Sequence, residues 1–267
     1  MSKGIVTFTT DFGTEDHFVG TMKGVILGIN PDASLVDICN QVQPFDVLEG
    51  ALTIAHSYHY YPAGTVHVVV VDPGVGTARR PIIADTGKYV FVAPDNGVLS
   101  LVCERQERLT VRHVTAEHYF LHPVSSTFHG RDVFAAIAGH ISRGVDLSKL
   151  GDPVADYVRL HIPQPQLADN RLVGGVLKTD RFGNIITNIP RRAFSHFTST
   201  HPDHFLVRIG KAQITRLRTA YAQGEPGELF AILGSMGYLE IATNKGSAAE
   251  IIGVRQGDVI ELIAPSG

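Results

Sequence analysis

Cysteine is scarce in this chain. The two that occur in 267 residues, Cys39 and Cys103, sit in apolar surroundings without a CxxC partner, so buried, reduced thiols are expected ahead of a disulfide or a thiolate metal site. An excess of charge of either sign is also missing. With 23 basic against 26 acidic residues, a net charge of -3 and no basic run longer than Arg191-Arg192, the chain carries no electrostatic footprint for nucleic acid or an anionic membrane. No apolar window of about 18 residues occurs and no basic-then-apolar leader precedes Ile5, so neither membrane insertion nor export is signalled, and a cytoplasmic location is expected. Gly74-Val75-Gly76 lacks the third glycine of a dinucleotide fingerprint, and no Lys-Ser or Lys-Thr follows it, which disfavours both common nucleotide loops. Thirteen histidines keep a metal in view, yet there is no HExxH, and His56 and His59 read more simply as a half-exposed helix face. No metal or other cofactor is expected.

What is present is organised around Thr65 to Arg80, where an apolar run breaks abruptly into an acid, two glycines and two arginines. Val68 to Val71 have no helical period and too much β-branching for a helix, so they predict a central strand buried on both faces. Pro73 cannot donate to a ladder, and the glycines permit a tight bend, so Asp72 falls at the carboxyl end of that strand. In open α/β sheets ligands bind at that edge. The plainer alternative is a strand-end ion pair of Asp72 with Arg79 or Arg80.

From the start of the chain, Gly4 to Thr10 alternates as a strand and meets a second acid-bearing turn at Asp11. Apolar residues at helical spacing follow from about Asp16 to Ile29, then a short strand at 36–39, and a second helix from about Phe45 to Tyr58 leads to the valine strand. This β-α-β-α-β order predicts an α/β unit with a mostly parallel sheet flanked by helices, in which Asp11 and Asp72 share one edge. Strands at 81–85 and 89–93 are joined by the tight turn Thr86 to Lys88, a short helix follows through Val102, and another strand ends near Val114. Helical period resumes at Val133, placing His129 in the loop or first turn at a helix N-terminus, where amide donors favour an anion or hydroxide. Pro153, Pro163 and Pro165 loosen the pattern, so a boundary is expected near 165, dividing the chain into 1–165 and 166–267. Beyond it the chain reads almost entirely as short strands, which suggests a smaller all-β barrel or sandwich domain.

Polar clusters fall at element ends: Asp11 with Asp16, Asp72 with Arg79, His129 with Arg131 and Asp132, and Asp180-Arg181-Phe182-Gly183-Asn184. An Asp-Arg-His set without a Ser or Cys nucleophile suggests a positioned water rather than covalent catalysis.

The segments carrying these clusters resemble the S-adenosyl-L-methionine (SAM) hydroxide adenosyltransferases, relatives of the bacterial fluorinase and chlorinase. They are Thr9 to Gly13, Val71 to Thr77, Ala93 to Gly97, Phe128 to Asp132, Asp180 to Asn184 and Gly237 to Ala242, in family order over nearly the whole chain. The resemblance implies hydrolysis of SAM to adenosine and L-methionine by attack of water or hydroxide on the ribose C5′, with no cofactor, in a homotrimer whose active sites lie between the N-terminal domain of one subunit and the C-terminal domain of its neighbour. It further implies Asp72, Arg79 and His129 as the catalytic, water-holding set, with Arg80 the competitor for Arg79. Asp11 corresponds to the ribose-binding acid and Asp16 to a helper. Asp180, Asn184 and Ser235 match positions at the methionine end, and Phe45 and Phe128 line the substrate. Core or turn chemistry is the plainer alternative for each.

The halide-using relatives carry tyrosine in place of Asp72, and the fluorinase has serine in place of Gly130. A carboxylate facing the nucleophile disfavours a halide and favours water. Met236 stands where the fluorinase has arginine, so recognition of the methionine carboxylate is expected to differ. A halide-using adenosyltransferase, a non-catalytic adenosine or SAM-binding protein and a metal-dependent hydrolase are the alternatives.

Overall fold

The computed structural model describes residues 4–168, 170–199 and 205–264, and the chain divides into two compact units, Met1–Leu160 and His161–Gly267.

The first unit runs β1 (Ile5–Thr10), α1 (Phe18–Ile29), β2 (Ser34–Cys39), α2 (Val47–Ala55), β3 (Val66–Val70), β4 (Pro81–Asp85), β5 (Val90–Pro94), α3 (Ser100–Cys103), β6 (Thr110–His113) and α4 (Ala136–Ser142). Every residue of β3 is buried, as a β-branched strand covered on both faces should be. α1 turns Val19, Met22 and Ile26 inward at intervals of three and four, and Asn30 ends it. These side chains share one core with Phe8 of β1, Val68 and Val70 of β3, Phe134 just before α4 and Ile137 within it.

The six strands lie in the order β2-β1-β3-β5-β4-β6. β1 pairs parallel with β2 and β3, and β3 parallel with β5. β4 runs antiparallel to both β5 and β6, so the sheet is mixed, with this one reversed strand among five that run in the same direction. The reason is local: helical crossovers bring the chain back to the same end, whereas the tight turn after β4 returns it directly. Register pairs Thr10 with Val70, so Asp11 and Asp72 leave the sheet side by side at its carboxyl edge.

Three details differ from the sequence reading. α2 stops at Ala55, and His56 and His59 lie in its cap and in a separate 3₁₀ turn, Tyr58–Tyr60, instead of on one helix face. α1 begins at Phe18, which leaves Asp16 in the preceding bend. Cys103 is buried, its thiol pushed up to about 11 by desolvation, but Cys39, on the edge strand β2, is only half-buried.

The second unit contains β7 (Gln166–Ala168), β8 (Arg171–Thr179), β9 (Ile185–Pro190), α5 (Arg191–Ser199), β10 (Leu206–Ile209), β11 (Ala212–Ile214), β12 (Leu217–Arg218), β13 (Leu229–Leu233), β14 (Tyr238–Thr243), α6 (Ala248–Ile252) and β15 (Val259–Ile263). It is one curled sheet in the order β11-β10-β15-β8-β9-β14-β13-β12, with β7 on β8, around Val176, Ile185, Ile209, Ile241 and Ile260. No hydrogen-bonded pairing joins β11 to β12 among the described residues. The two helices are additions to the expected all-strand pattern. α6 had a legible start, since Ser247 caps it by accepting from the Glu250 N–H at 3.1 Å, the first half of an S-x-x-E capping box. Among the described residues no helix is long and apolar enough to cross a membrane.

Candidate active site

Beyond β3 the chain bends through Pro73 and Gly74 and turns back at Gly76, whose φ of +76° suits glycine. A side chain there would also run into the Ser126 carbonyl, so the turn packs directly on the segment that leads to His129. The return stroke brings Arg79 back onto Asp72. Arg79 Nε lies 3.0 and 2.9 Å from the two Asp72 carboxylate oxygens, and Nη2 lies 2.5 Å from Oδ2. Both side chains are almost fully enclosed, at 8% and 4% exposure, and the guanidinium lies over the Phe134 ring.

Arg79 Nη2 is also 2.7 Å from His129 Nδ1. A guanidinium can only donate, so Nδ1 must be the bare nitrogen and the imidazole proton resides on Nε2. Burial lowers the His129 pKa from its ordinary value, and the Arg79 charge lowers it further against the weaker opposition of Asp72 and Asp132. His129 itself is the N-cap of a π-helical turn, Gly130–Ala135, that runs into α4. Such turns recur at functional sites because they re-aim side chains within a helix.

Beside this group, the Asp11 carboxylate accepts the Phe45 backbone N–H at 2.8 Å. Burial raises the Asp11 pKa; the Phe45 N–H pulls it down, and the nearby Asp72 charge adds to the rise. Phe45 has a φ of +68° and is 72% exposed. A bulky residue in the left-handed region with its ring in solvent is strained and gains no burial, and strained residues of this kind cluster at active sites and ligand clamps. A cavity of about 110 Å³ is lined by Phe12, Phe18, Asp72, Thr127, Phe128 and His129. Gly130 closes its wall: a Cβ there would sit 3.1 Å from Phe12 and 3.2 Å from both Met22 and Phe128, so a larger residue would have to push them aside.

In the second unit, Asp180 Oδ1 accepts the N–H groups of Phe182 and Asn184, each at 2.9 Å, and Oδ2 accepts Asn184 Nδ2 at 2.8 Å. Phe182, at the tip of this turn, is 77% exposed. Glu240 of β14 is buried, receives the Tyr221 hydroxyl at 2.9 Å and is raised in pKa first by that burial and also by the Asp180 charge. Ser235 is exposed in the turn between β13 and β14.

The model of the SAM hydroxide adenosyltransferase N-terminal domain matches residues 6–151, and that of the C-terminal domain matches residues 174–261. The chain belongs to this family. Among its relatives, one from Salinispora tropica named (R)-S-adenosyl-L-methionine hydrolase is 35% identical, covering 97% of both chains. A fluorinase of Nocardia brasiliensis is more distant, 30% identical over 97% of this chain and 96% of its own. The crystal structure of an uncharacterized conserved protein of Thermotoga maritima superposes with a TM-score of 0.89 at 38% identity, covering 97% of this chain and 99% of that one.

In this chain, Asp11, Phe45, Asp72, Arg79, Phe128 and His129 are gathered at one edge of the first unit. Asp16 is exposed in the bend before α1. Arg80 is committed elsewhere, with Nε and Nη2 on Asp95 and Nη1 on Asp156 at 2.9 Å. Phe182 and the Tyr221–Glu240 pair were not singled out from sequence. An aromatic at the tip of a polar turn was the available sign for Phe182; nothing local marks Glu240 as buried beside a tyrosine. Among the described residues no group of three or more His, Cys, Asp or Glu is arranged to hold a metal ion.

Proposed function

We propose that this protein hydrolyses SAM to adenosine and L-methionine. The observation that carries the reading is the enclosed Asp72–Arg79–His129 contact set at the carboxyl edge of the sheet, in a family with relatives 34% and 35% identical to this chain that are named (R)-S-adenosyl-L-methionine hydrolase. A water oxygen attacks the ribose C5′ in line, the C5′–S bond breaks, and sulfur keeps the electron pair and leaves as a neutral thioether. The water's proton passes to Asp72. Arg79 holds the carboxylate and offsets hydroxide character, and His129, with its proton on Nε2, donates to the same water. The substrate's sulfonium is attracted by Asp72 and Asp11, whereas a halide would be repelled, which disfavours the halide-using alternative.

Asp11 accepts the ribose hydroxyls, Asp16 assists from the neighbouring bend, and Phe45 and Phe128 line the nucleoside. Asp180, Asn184 and Ser235 bind the methionine end. The second unit closes as a barrel, the protein assembles as a homotrimer with each site shared between subunits, and it works in the cytoplasm without a cofactor.

The direct test is chromatography of SAM incubated with the purified protein and EDTA, with and without chloride. Adenosine and methionine are expected, insensitive to chelator. Intact SAM would leave a binding protein, loss with EDTA a metal enzyme, and a 5′-chloro nucleoside a halide-using one.

Phe45→Gly separates strain from function. Glycine adopts the φ of +68° freely, so stability is expected to stay within about 1 kcal/mol of wild type. Loss of an aromatic face is worth about 1–3 kcal/mol of base stacking, so KM for SAM should rise about tenfold or more. Thermal melts and Michaelis curves check both, and an unchanged KM would remove Phe45 from the binding surface.

A further inference from the structure

Asp95 and Asn96 lie in the turn after β5, in a segment distinctive in sequence that has no part in the chemistry above. Asn96 Nδ2 donates to the Val71 carbonyl at 2.8 Å, while its Oδ1 accepts the Val98 N–H at 3.1 Å. Val71 is the residue immediately before Asp72. The Asp95 N–H donates to the Arg80 carbonyl at 2.8 Å, and its carboxylate accepts Arg80 Nε and Nη2 at 2.9 and 2.6 Å. Arg80 is the residue immediately after Arg79. Two adjacent side chains therefore grip the reactive loop at both ends. Asp95 is itself only 5% exposed and is anchored by the Val158 N–H at 2.8 Å.

We propose that Asp95 and Asn96 are positioning residues that set the spacing of Asp72 and Arg79, and through Arg79 the seat of His129. The proposal rests on the reading of those three as the reaction centre. An ion pair on a flexible loop can be satisfied in many arrangements, and Gly74 and Gly76 make this loop flexible. In-line attack tolerates few of them, since a displacement of about 1 Å can cost on the order of a hundredfold in rate. Fixing the peptide before the carboxylate and the residue after the guanidinium removes that freedom. Neither Asp95 nor Asn96 is needed to touch substrate for this.

Asn96→Ala tests it, with Asp95→Asn as a milder second variant should the first fold poorly. Expected for Asn96→Ala is a fall in kcat of about ten- to a hundredfold with the Kd for SAM by calorimetry unchanged. In an Asp72→Asn background the same change should cost less than about twofold, because the group it positions is already gone. The second readout needs no turnover: the His129 titration midpoint followed by NMR. Arg79, Asp72 and Asp132 are the charged groups acting on His129. If Arg79 drifts away, the midpoint rises toward the ordinary histidine value. In Asp95→Asn, loss of a negative charge alone would lower the midpoint, so a rise there reports repositioning. Variants that keep the wild-type His129 midpoint, whether kcat is retained or kcat and binding fall together, would overturn the proposal. Absence of turnover in the wild type would sink the hydrolase reading, while the titration would still decide this one.

Discussion

Asp72→Ala is expected to abolish most adenosine formation, by about 10²–10⁴-fold, and also to destabilise the protein by about 3–5 kcal/mol. The two losses have different causes. On the proposed mechanism, activity falls because the water loses the group that orients it and takes its proton. Stability falls because Arg79, with only 8% of its side chain exposed, keeps a charge that nothing then compensates. Its remaining contact, His129 Nδ1, is neutral and cannot replace a carboxylate. The double variant Asp72→Ala/Arg79→Met separates the effects. Removing both charges and leaving a methionine over Phe134 should restore most of the stability while the protein stays inactive. Urea unfolding and product chromatography on the same preparations check this. An Asp72→Ala protein as stable as wild type would mean that Arg79 reaches solvent or another acid. One that still released adenosine at the wild-type rate would remove Asp72 from the chemistry.

Acid is expected to destabilise the protein through His67, at the other end of β3 from the site. The ring is fully buried, stacks on Phe91 with centroids 4.9 Å apart and is met edge-on by Tyr58 and Tyr61. Its Nδ1 lies 2.7 Å from the Thr7 hydroxyl, and Nε2 has no hydrogen-bond partner among the described residues. Desolvation lowers its pKa from 6.5 to about 3. Above 6.5 both folded and unfolded forms are neutral and the term vanishes. As pH falls below 6.5 the unfolded chain takes up a proton that the folded chain refuses, so stability drops progressively until about pH 3. At about 1.36 kcal/mol per pH unit that interval is worth up to roughly 5 kcal/mol. His67→Phe should flatten this part of the curve, at some cost near neutrality because Thr7 loses its partner. His129 and His140, also lowered chiefly by burial, leave a smaller slope of the same sign. Denaturant midpoints from pH 7 to 4 decide the matter: an equally steep fall in His67→Phe would place the acid sensitivity elsewhere.

Features that depend on neighbours along the chain were legible in consecutive residues. The valines of β3 could only be a doubly buried strand, so Asp72 had to emerge at its carboxyl end beside the glycines. The spacing of Val19, Met22 and Ile26 dictated α1 and the side it buries. The motif order from Thr9 to Ala242 carried the family. Features that depend on groups distant in sequence emerged with the folded chain. Arg79 and Arg80 are chemically identical neighbours, and the choice between them was made by Asp95 and Asp156, which take Arg80 and leave Arg79 for Asp72. The left-handed Phe45 was equally invisible, because the carboxylate that accepts its N–H lies 34 residues earlier. The mixed sheet depended on where a tight turn sent β5, and α5 on an apolar surface around Phe194 that its short polar segment alone could not advertise. Local propensity and periodicity are written in consecutive residues, whereas partner choice is settled by which groups the finished fold brings within hydrogen-bond reach.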